Sequence, residues 1–323
     1  MTPKAAVVGV GRMGRRHLQA LQTLDAAVVA IADLDDASLA QGAALVPDAR
    51  PYHTWEELLH QERVDLLCVA TTSPSHEAIV AAAAAAGVPR VLCEKPLATS
   101  LRAGRKMNAA CRAAGVRLVV NHSRRLFEPY RHVHAAIDRG IFGDVRFMHV
   151  TCGGSGLANI GTHAFDLMRW FCGSAISVTG YVDPVTGVNP RGPQFHDPGG
   201  HGLVILQDGR RATFDFSSDF AGGFVVELGC SRGRIVLREQ TQEIDAMTDG
   251  KRIPMDFGLP LDLVPMTAAM LRNTLADDAP ACAGEDALAV LEIAAAVHVS
   301  DSEGHRSVAL PLSDDQGVLE RIA

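Results

Sequence analysis

Val8-Gly9-Val10-Gly11-Arg12-Met13-Gly14 follows an apolar run from Lys4 to Gly9 and precedes a helix predicted over Arg15 to Thr23. Strand, glycine turn and helix in this order are typical of dinucleotide-binding α/β domains. Gly9 would make the tight turn, Gly11 would let backbone amides approach a pyrophosphate, and Gly14 would let the helix lie close to the strand. The predicted pyrophosphate-binding residues are Gly9, Gly11, Arg12, Met13 and Gly14.

An acidic residue ends the second predicted strand, Ala26 to Ala32. Asp33 lies about 20 residues beyond the last glycine, where a carboxylate is expected to bond both ribose hydroxyls of a dinucleotide. Asp35 and Asp36 add negative charge that would disfavour a 2′-phosphate. The sequence therefore predicts NAD as the cofactor in preference to NADP.

Apolar strands and helices then alternate as in a doubly wound parallel sheet. The predicted strand Val64 to Ala70 leads into a polar turn, which should face the ligand crevice because it leaves the carboxyl end of a strand. Thr71, Thr72 and His76 are therefore candidate cofactor contacts. A helix cap or a first-turn polar residue is an equally good interpretation of Thr72 and His76.

Glu94-Lys95-Pro96 follows the predicted strand Val88 to Cys93. A following proline favours extended backbone at Lys95 and would hold its ammonium group at the strand end. We predict a catalytic role for Lys95 and a cofactor-binding role for Glu94. A surface lysine, or an ion pair between the two, is the structural alternative.

The composition favours a globular enzyme. The chain has 323 residues, 47% of them hydrophobic and 21% charged, which predicts two packed domains, at 1–120 and 121–323, with a last helix that either could hold. The net charge of -7 and the lack of a long basic run disfavour nucleic-acid and membrane partners. Seven cysteines without a CxxC pair and an amino terminus that enters a strand at once predict a cytoplasmic location.

After residue 120 the pattern changes to alternating strands with Asp208-Gly209 as a hairpin turn, which predicts a mainly antiparallel sheet. The stretch Gly180 to Gly200, rich in Pro and Gly, is predicted to be a loop bordering the site. His196, Asp197 and His201 lie close together in the sequence, but their spacing matches no standard metal site, and we predict no metal.

A helix predicted over Ile160 to Cys172 would put Asn159, His163 and Asp166 on one face. A histidine in such a helix is more often structural than catalytic. The register with Asn159 nevertheless makes both residues catalytic candidates, and Asp166 is expected to orient a neighbour or the substrate.

These motifs together resemble the Gfo/Idh/MocA oxidoreductases. The likeness rests on the glycine motif, on Glu94-Lys95-Pro96, and on Gly161-Thr162-His163 with Asp166 and Trp170. It implies a Rossmann domain followed by an open, mostly antiparallel sheet domain that often builds dimers or tetramers. It also implies hydride transfer between a nicotinamide cofactor and sugars, cyclitols or related compounds. On this view His163 removes the hydroxyl proton while Lys95 hydrogen-bonds the same oxygen.

One position departs from the resemblance. Members similar to inositol dehydrogenases carry Asp where this chain has Asn159, and Asn is not a base. The pattern Asn-x-Gly-x-His is similar to that of the nucleotide-sugar branch, such as UDP-N-acetylglucosaminuronate 3-dehydrogenases. Candidate contacts to a substrate phosphate or carboxylate are Asn121, Arg124 and Arg125, with solvent-exposed arginines as the alternative. A free-sugar or inositol dehydrogenase, and a non-catalytic protein that senses NAD or sugar, remain the other hypotheses.

Overall fold

The computed structural model describes residues 2–184 and 196–313, which form two compact units. The first unit comprises Met1–Ser123 and Asp262–Leu288, and the second comprises Arg124–Leu261 and Ala289–Ala323. The sequence predicted a second domain over 121–323, with a last helix that either domain could hold. The structure differs at 262–288, because a helix in this stretch packs against the first helix of the chain.

The first unit contains a six-stranded parallel sheet in the order β3-β2-β1-β4-β5-β6. This is the strand order of a Rossmann domain, as predicted. Its elements are β1 (Lys4–Val8), α1 (Arg12–Gln22), β2 (Ala27–Ala32), α2 (Asp36–Leu45), β3 (Arg50–Tyr52), α3 (Trp55–Gln61), β4 (Leu66–Val69), α4 (His76–Ala85), β5 (Arg90–Cys93), α5 (Leu101–Ala114) and β6 (Arg117–Val120).

Local chemistry explains where these elements begin and end. All four residues of β4 are buried, as expected for a central parallel strand that helices cover on both faces. The Ser100 hydroxyl caps α5 by accepting the Ala103 N–H at 3.1 Å, and Gly115 ends the helix at a φ of 67°. Because all six strands run parallel, their carboxyl ends lie at one edge of the sheet.

The second unit contains a nine-stranded sheet in the order β14-β13-β12-β11-β7-β10-β9-β8-β15. Among its pairs, β7 and β10 run parallel and the others antiparallel. The remaining elements of the chain are α6 (Glu128–Asp138), β7 (Val145–Thr151), α7 (Thr162–Cys172), β8 (Ala175–Val182), β9 (Gly200–Leu206), β10 (Arg211–Asp215), β11 (Val225–Cys230), β12 (Gly233–Arg238), β13 (Glu243–Thr248), β14 (Lys251–Ile253), α8 (Leu263–Leu275), α9 (Gly284–Ser302) and β15 (Val308–Ala309).

The predicted hairpin between β9 and β10 is confirmed. Asp208 and Gly209 have φ angles of 61° and 72°, and the strands pair antiparallel on either side of them. One face of the sheet is covered by α7, whose Phe165 ring lies 5.1 Å from Phe214 in an edge-to-face contact. The fold class inferred from the sequence, a Rossmann sheet plus a mostly antiparallel sheet, is confirmed.

Two further expectations concern single segments. The predicted loop over 180–200 is described only at its ends, where β8 reaches Val182 and β9 begins at Gly200, and 185–195 lie outside the described residues. The longest helix in the described part of the chain, α9, has 19 residues. No described helix has both the length and the hydropathy that a bilayer crossing requires.

Candidate functional site

The glycine turn between β1 and α1 has the close packing that its sequence predicts. Gly9 has a φ of 82°, and a Cβ there would lie 2.8 Å from Thr71. A Cβ at Gly14 would lie 1.8 Å from the Gly9 carbonyl oxygen. At Gly11, by contrast, a Cβ would meet nothing within 4 Å. Side chains at Gly9 and Gly14 are therefore excluded by the protein itself, whereas the space at Gly11 is open to a ligand.

The first turn of α1 leaves its amides available to that space. The helix begins at Arg12, and among the described residues no side chain caps it. Arg12 is exposed, while the Met13 sulfur accepts a hydrogen bond from Arg16 at 3.1 Å. Uncapped amides at a positive helix end are a binding site for a pyrophosphate.

Asp33 is oriented by the same turn. One carboxylate oxygen accepts the Val10 N–H at 2.7 Å and the other accepts the Asp35 N–H at 3.0 Å. Each oxygen keeps a further lone pair for a hydroxyl donor. The open position at Gly11, the uncapped helix and the fixed carboxylate together fit a dinucleotide whose ribose hydroxyls meet Asp33.

The turn between β4 and α4 separates the three residues predicted there. Thr71 lies beside Gly9 and accepts a hydrogen bond from the Ser75 hydroxyl at 2.7 Å, and Thr72 is exposed. His76 turns inward, is fully buried, and has its ring nitrogens 3.2 Å from the carbonyl oxygens of Thr71 and Leu97. Burial lowers its pKa. Both ring nitrogens of His76 thus lie against backbone carbonyl groups, and its contact with the cofactor stays a prediction.

Glu94 also points into the protein instead of toward a ligand. Its carboxylate is 2.7 Å from His17 Nε2 and accepts a hydrogen bond of 2.7 Å from the Asn121 side chain. All three side chains are buried. Lys95 follows directly at the end of β5, is half-buried, and forms a cis peptide with Pro96. The network of His17, Glu94 and Asn121 thus fixes the strand end from which Lys95 projects.

The two ionisable members of this network stabilise each other's charge. Burial alone would lower the pKa of His17, but contacts with Cys68 and Glu94 outweigh it and raise the pKa to about 10. Burial alone would raise the pKa of Glu94, but His17, Asn121 and the charge of Lys95 lower it to about 2. A buried imidazolium and carboxylate therefore pair at neutral pH.

In the second unit, the helix that carries His163 is longer than predicted. A π-helical turn over Leu157–Gly161 leads directly into α7. Gly156 O accepts the N–H groups of both Ile160 and Gly161, and the Thr162 hydroxyl donates to Ala158 O at 2.9 Å. Asn159 thus lies in a π turn, a feature often found at functional sites, directly before the α-helix that carries His163.

His163 and Asp166 both lie on α7 and are buried, with 7% and 0% of their surfaces exposed. Arg125 holds the Asp166 carboxylate with two hydrogen bonds of 2.8 Å. This fork orients the Asp166 carboxylate within the protein, and its role toward the substrate stays a prediction.

Arg124, the other predicted substrate cation, is likewise engaged. It is buried, donates two hydrogen bonds of 2.7 and 2.9 Å to Glu239, and stacks over Phe224. The Tyr130 hydroxyl donates to the same carboxylate at 2.8 Å. Arg124 and Asn121 are thus each bonded to a buried carboxylate of the protein, and their contacts with a substrate phosphate or carboxylate stay a prediction.

The histidine and aspartate group after residue 195 does not converge on a metal site. Within 2–184 and 196–313, no three His, Cys, Asp or Glu side chains come together as metal ligands. The Asp197 carboxylate instead accepts the backbone N–H groups of Ala158 and Asn159.

Three residues that the sequence analysis did not assign are prominent here: His17, Asp197 and Glu239. A signal existed for His17, which lies three residues after Gly14 on the helix face that also buries Leu18 and Leu21. Asp197 and Glu239 carry no local signal, since their partners lie 38 or more residues away.

Comparison with known proteins agrees with this architecture. Residues 4–122 match the family model GFO_IDH_MocA, described as an oxidoreductase family with an NAD-binding Rossmann fold. Residues 130–236 match the GFO/IDH/MocA C-terminal domain.

The curated relatives include inositol 2-dehydrogenase 2 of Saccharopolyspora erythraea, 31% identical over 71% of this chain and 72% of that protein. D-apiose dehydrogenase of Paraburkholderia graminis is 37% identical over 43% of this chain and 37% of its own length. The chain thus covers well under two thirds of that relative. Among solved structures, the WlbA dehydrogenase of Bordetella pertussis in complex with NADH and UDP-GlcNAcA superposes with a TM-score of 0.81 at 22% identity, covering 97% of this chain and 99% of that one.

Proposed function

Because the chain belongs to the GFO/IDH/MocA family of oxidoreductases, we propose that it is an NAD-dependent dehydrogenase or reductase. Its substrate would be a secondary alcohol or ketone of a sugar or nucleotide sugar. The observation that carries the proposal is the glycine turn, whose Gly11 is open where Gly9 and Gly14 are tightly packed. A turn that served only to connect β1 with α1 would have no need of that open position.

The chain's own residues divide the work. Bound NAD would supply the hydride acceptor. His163 would remove the proton of the reacting hydroxyl, and Lys95 would donate a hydrogen bond to the oxygen on which charge develops. Asn159 would hydrogen-bond a hydroxyl of the substrate, because an amide both donates and accepts but takes up no proton. In the reverse direction, His163 would return the proton.

The preference for NAD rests on Asp33. Its carboxylate is held by Val10 and Asp35 at the end of β2, where a 2′-phosphate would meet like charge. Asp35 itself caps α2 through Ser38, which keeps a second carboxylate at this edge.

Two substrate classes compete. Asn159 favours a nucleotide sugar, and the WlbA complex contains UDP-GlcNAcA. The curated relatives named above are an inositol and an apiose dehydrogenase, which favours a free polyol or sugar. A non-catalytic protein that senses NAD or sugar is the third candidate, because the amide at position 159 is not a base.

The direct test is NADH formation from NAD across a panel of free sugars, inositols and UDP-linked sugars that includes uronates. Turnover restricted to a UDP-sugar supports the nucleotide-sugar assignment, and turnover with a free polyol supports the inositol-type one. Saturable NAD binding without turnover on any member contradicts an enzyme for these substrates and favours the sensor.

Lys95→Ala tests the first catalytic assignment. We expect kcat to fall by about 10²- to 10⁴-fold while the NAD dissociation constant changes little. Lys106→Ala is the matched control, since Lys106 is an exposed lysine of the same unit that pairs with Glu77. Unchanged turnover in Lys95→Ala contradicts the assignment.

We further propose a cytoplasmic homodimer or homotetramer. All seven cysteines are free thiols, which suits a reducing compartment. Tyr181 and Met247, each 45% exposed, fall on the same face of the large sheet by its strand register, and exposed apolar side chains there suit contact with a second copy. Sedimentation velocity measures the assembly, and a monomer at micromolar concentration contradicts it.

A further inference from the structure

The helical turn that carries Asn159 is hydrogen-bonded at its start by a segment of the same unit that is distant in the sequence. Pro198 O accepts the Leu157 N–H at 2.9 Å. The two oxygens of Asp197 accept the N–H groups of Ala158 at 2.7 Å and Asn159 at 2.8 Å. The first amides of a helix have no partner within the helix, and here three successive ones are bonded by residues 197 and 198.

The neighbouring glycine makes room for this carboxylate. An added Cβ on Gly156 would lie 2.0 Å from one Asp197 oxygen and 2.1 Å from its carboxyl carbon. The backbone of Gly156 is extended, with φ -76° and ψ 147°, so any residue could adopt its conformation. Gly156 is therefore required for space, and the space is filled by Asp197.

The segment that holds Asp197 is itself fixed to the sheet. Gly199 O accepts the Asp183 N–H at 3.1 Å, and a Cβ on Gly199 would lie 2.3 Å from Phe216 O. Asp183 in turn accepts the Ser218 N–H at 2.9 Å. The segment that carries Asp197 is thus bonded both to the helix and to the sheet edge. Asp197 therefore links the position of the helix to that of the sheet edge.

We propose that Asp197 is a positioning residue, which fixes the turn of Asn159 and the start of the helix that presents His163. The inference rests on the proposed function, because it takes these two residues as the groups that meet substrate. A π turn is rare and occurs mostly as a single turn, frequently at functional sites, and the first three N–H groups of this one are bonded by residues 197 and 198. A displacement of about 1 Å in a reacting group costs up to about 100-fold in rate, so loss of this carboxylate should reduce turnover without removing any reacting group.

The experiment compares Asp197→Ala, Asp197→Ser and the wild-type protein. Hydrogen exchange of the peptide spanning 154–161 measures the anchor directly, and kcat, KM and the NAD dissociation constant measure its consequence. We expect Asp197→Ala to exchange about tenfold faster in this peptide and to lose about 10- to 100-fold in kcat, with NAD affinity unchanged. Asp197→Ser, whose hydroxyl restores one acceptor, should recover part of both.

Asp256→Ala is the matched control. It also removes a carboxylate that bonds a backbone N–H of the same unit, at Gly258, but not one of the helix or of the segment that holds Asp197. Its exchange over 154–161 and its kcat should stay within about twofold of the wild type. Equal losses in both variants would mean general loosening of the unit and would overturn the proposal.

Gly156→Ala disturbs the contact between Asp197 and the helical turn from the side of the turn. Its methyl group should displace the carboxylate and reproduce the loss in kcat, whereas in the Asp197→Ala background it should add little, because no carboxylate remains to displace. If the losses in kcat of Gly156→Ala and Asp197→Ala add in the double variant, the proposal is overturned. It is also overturned if Asp197→Ala has fast hydrogen exchange over 154–161 but a normal kcat. If the wild type turns over no substrate, the proposed function fails, and the exchange data still decide whether Asp197 holds the turn.

Discussion

The two units hold their candidate residues by different means. In the first, the glycine turn packs against its own backbone and Thr71, and the Asp33 carboxylate accepts the N–H of Val10 in that turn, although side chains from distant stretches also hold Glu94 beside Lys95. In the second, the turn of Asn159 depends on Asp197, and Asp166 depends on Arg125, through side chains that come from distant stretches. Backbone rules that act over a few residues can be recognised in a sequence, whereas carboxylates recruited from afar become visible only in the folded unit.

We expect the largest effect from His163→Ala. If the chemistry depends on the second unit and the cofactor on the first, kcat should fall by about 10²- to 10⁴-fold while NAD affinity stays the same. Steady-state kinetics and NAD titration measure the two effects. His149→Ala, which removes a histidine of β7 bonded to Thr213, serves as the control and should retain activity. A loss of NAD binding in His163→Ala would contradict the assignment of cofactor binding to the first unit and chemistry to the second.

The glycine turn provides the next test. Gly14→Ala places a methyl group against the Gly9 carbonyl and should destabilise the protein by about 1–3 kcal/mol as well as weaken NAD. Gly11→Ala meets no protein atom, so we expect a normal unfolding midpoint with NAD affinity weakened about tenfold or more. Thermal unfolding and NAD titration separate the two. Full NAD affinity in Gly11→Ala would mean that the open space is not where the dinucleotide lies.

The buried pair in the first unit predicts a pH dependence of stability. The pKa of His17 is raised to about 10, so its contribution is complete below about pH 6.5 and is lost as the pH rises toward 10. The pKa of Glu94 is lowered to about 2, so its contribution is complete above about pH 4.5 and is lost as the pH falls toward 2.

Urea midpoints should therefore be highest between about pH 4.5 and 6.5 and fall on both sides. The double variant His17→Asn/Glu94→Gln lacks both titrating groups and should show flatter slopes in both ranges. Slopes equal to those of the wild type would show that other groups cause the pH dependence.

The smallest expected effect is on cofactor choice. Asp33→Ser keeps an acceptor for Val10 but removes the carboxylate, so the preference for NAD over NADP should fall by about tenfold. Asp48→Ser is the control, since Asp48 is exposed in the turn between α2 and β3, before the amino end of a strand. The ratio of kcat/KM for the two cofactors measures the change. An unchanged ratio in Asp33→Ser would assign the selectivity elsewhere.

Particular residues show how far sequence reasoning extends. The helix predicted over Arg15 to Thr23 forms as α1, and the hairpin turn predicted at Asp208-Gly209 forms between β9 and β10, because periodicity and turn residues are local signals. The return of α8 to the first unit carries no such signal, since an amphipathic helix has the same pattern whichever sheet it covers. Glu94 and Asn121 both follow strands and were expected to face a ligand, and the structure shows Glu94 bonded to His17 and Asn121 bonded to Glu94 in one buried network. Polar residues at strand ends thus have two possible directions, and their sequence does not distinguish them.

The discontinuous first unit has a consequence for biosynthesis. Its sheet is complete in the chain by residue 120, yet α8, which packs on α1, emerges from the ribosome only after residue 275. At about 5–20 residues per second, the nascent sheet must wait on the order of ten seconds for that helix. During this interval the apolar surface that buries Met270 and Leu271 in the finished protein is uncovered. Chaperone engagement would then be concentrated while residues 124–275 are translated, although most of the unit that needs it is encoded before them.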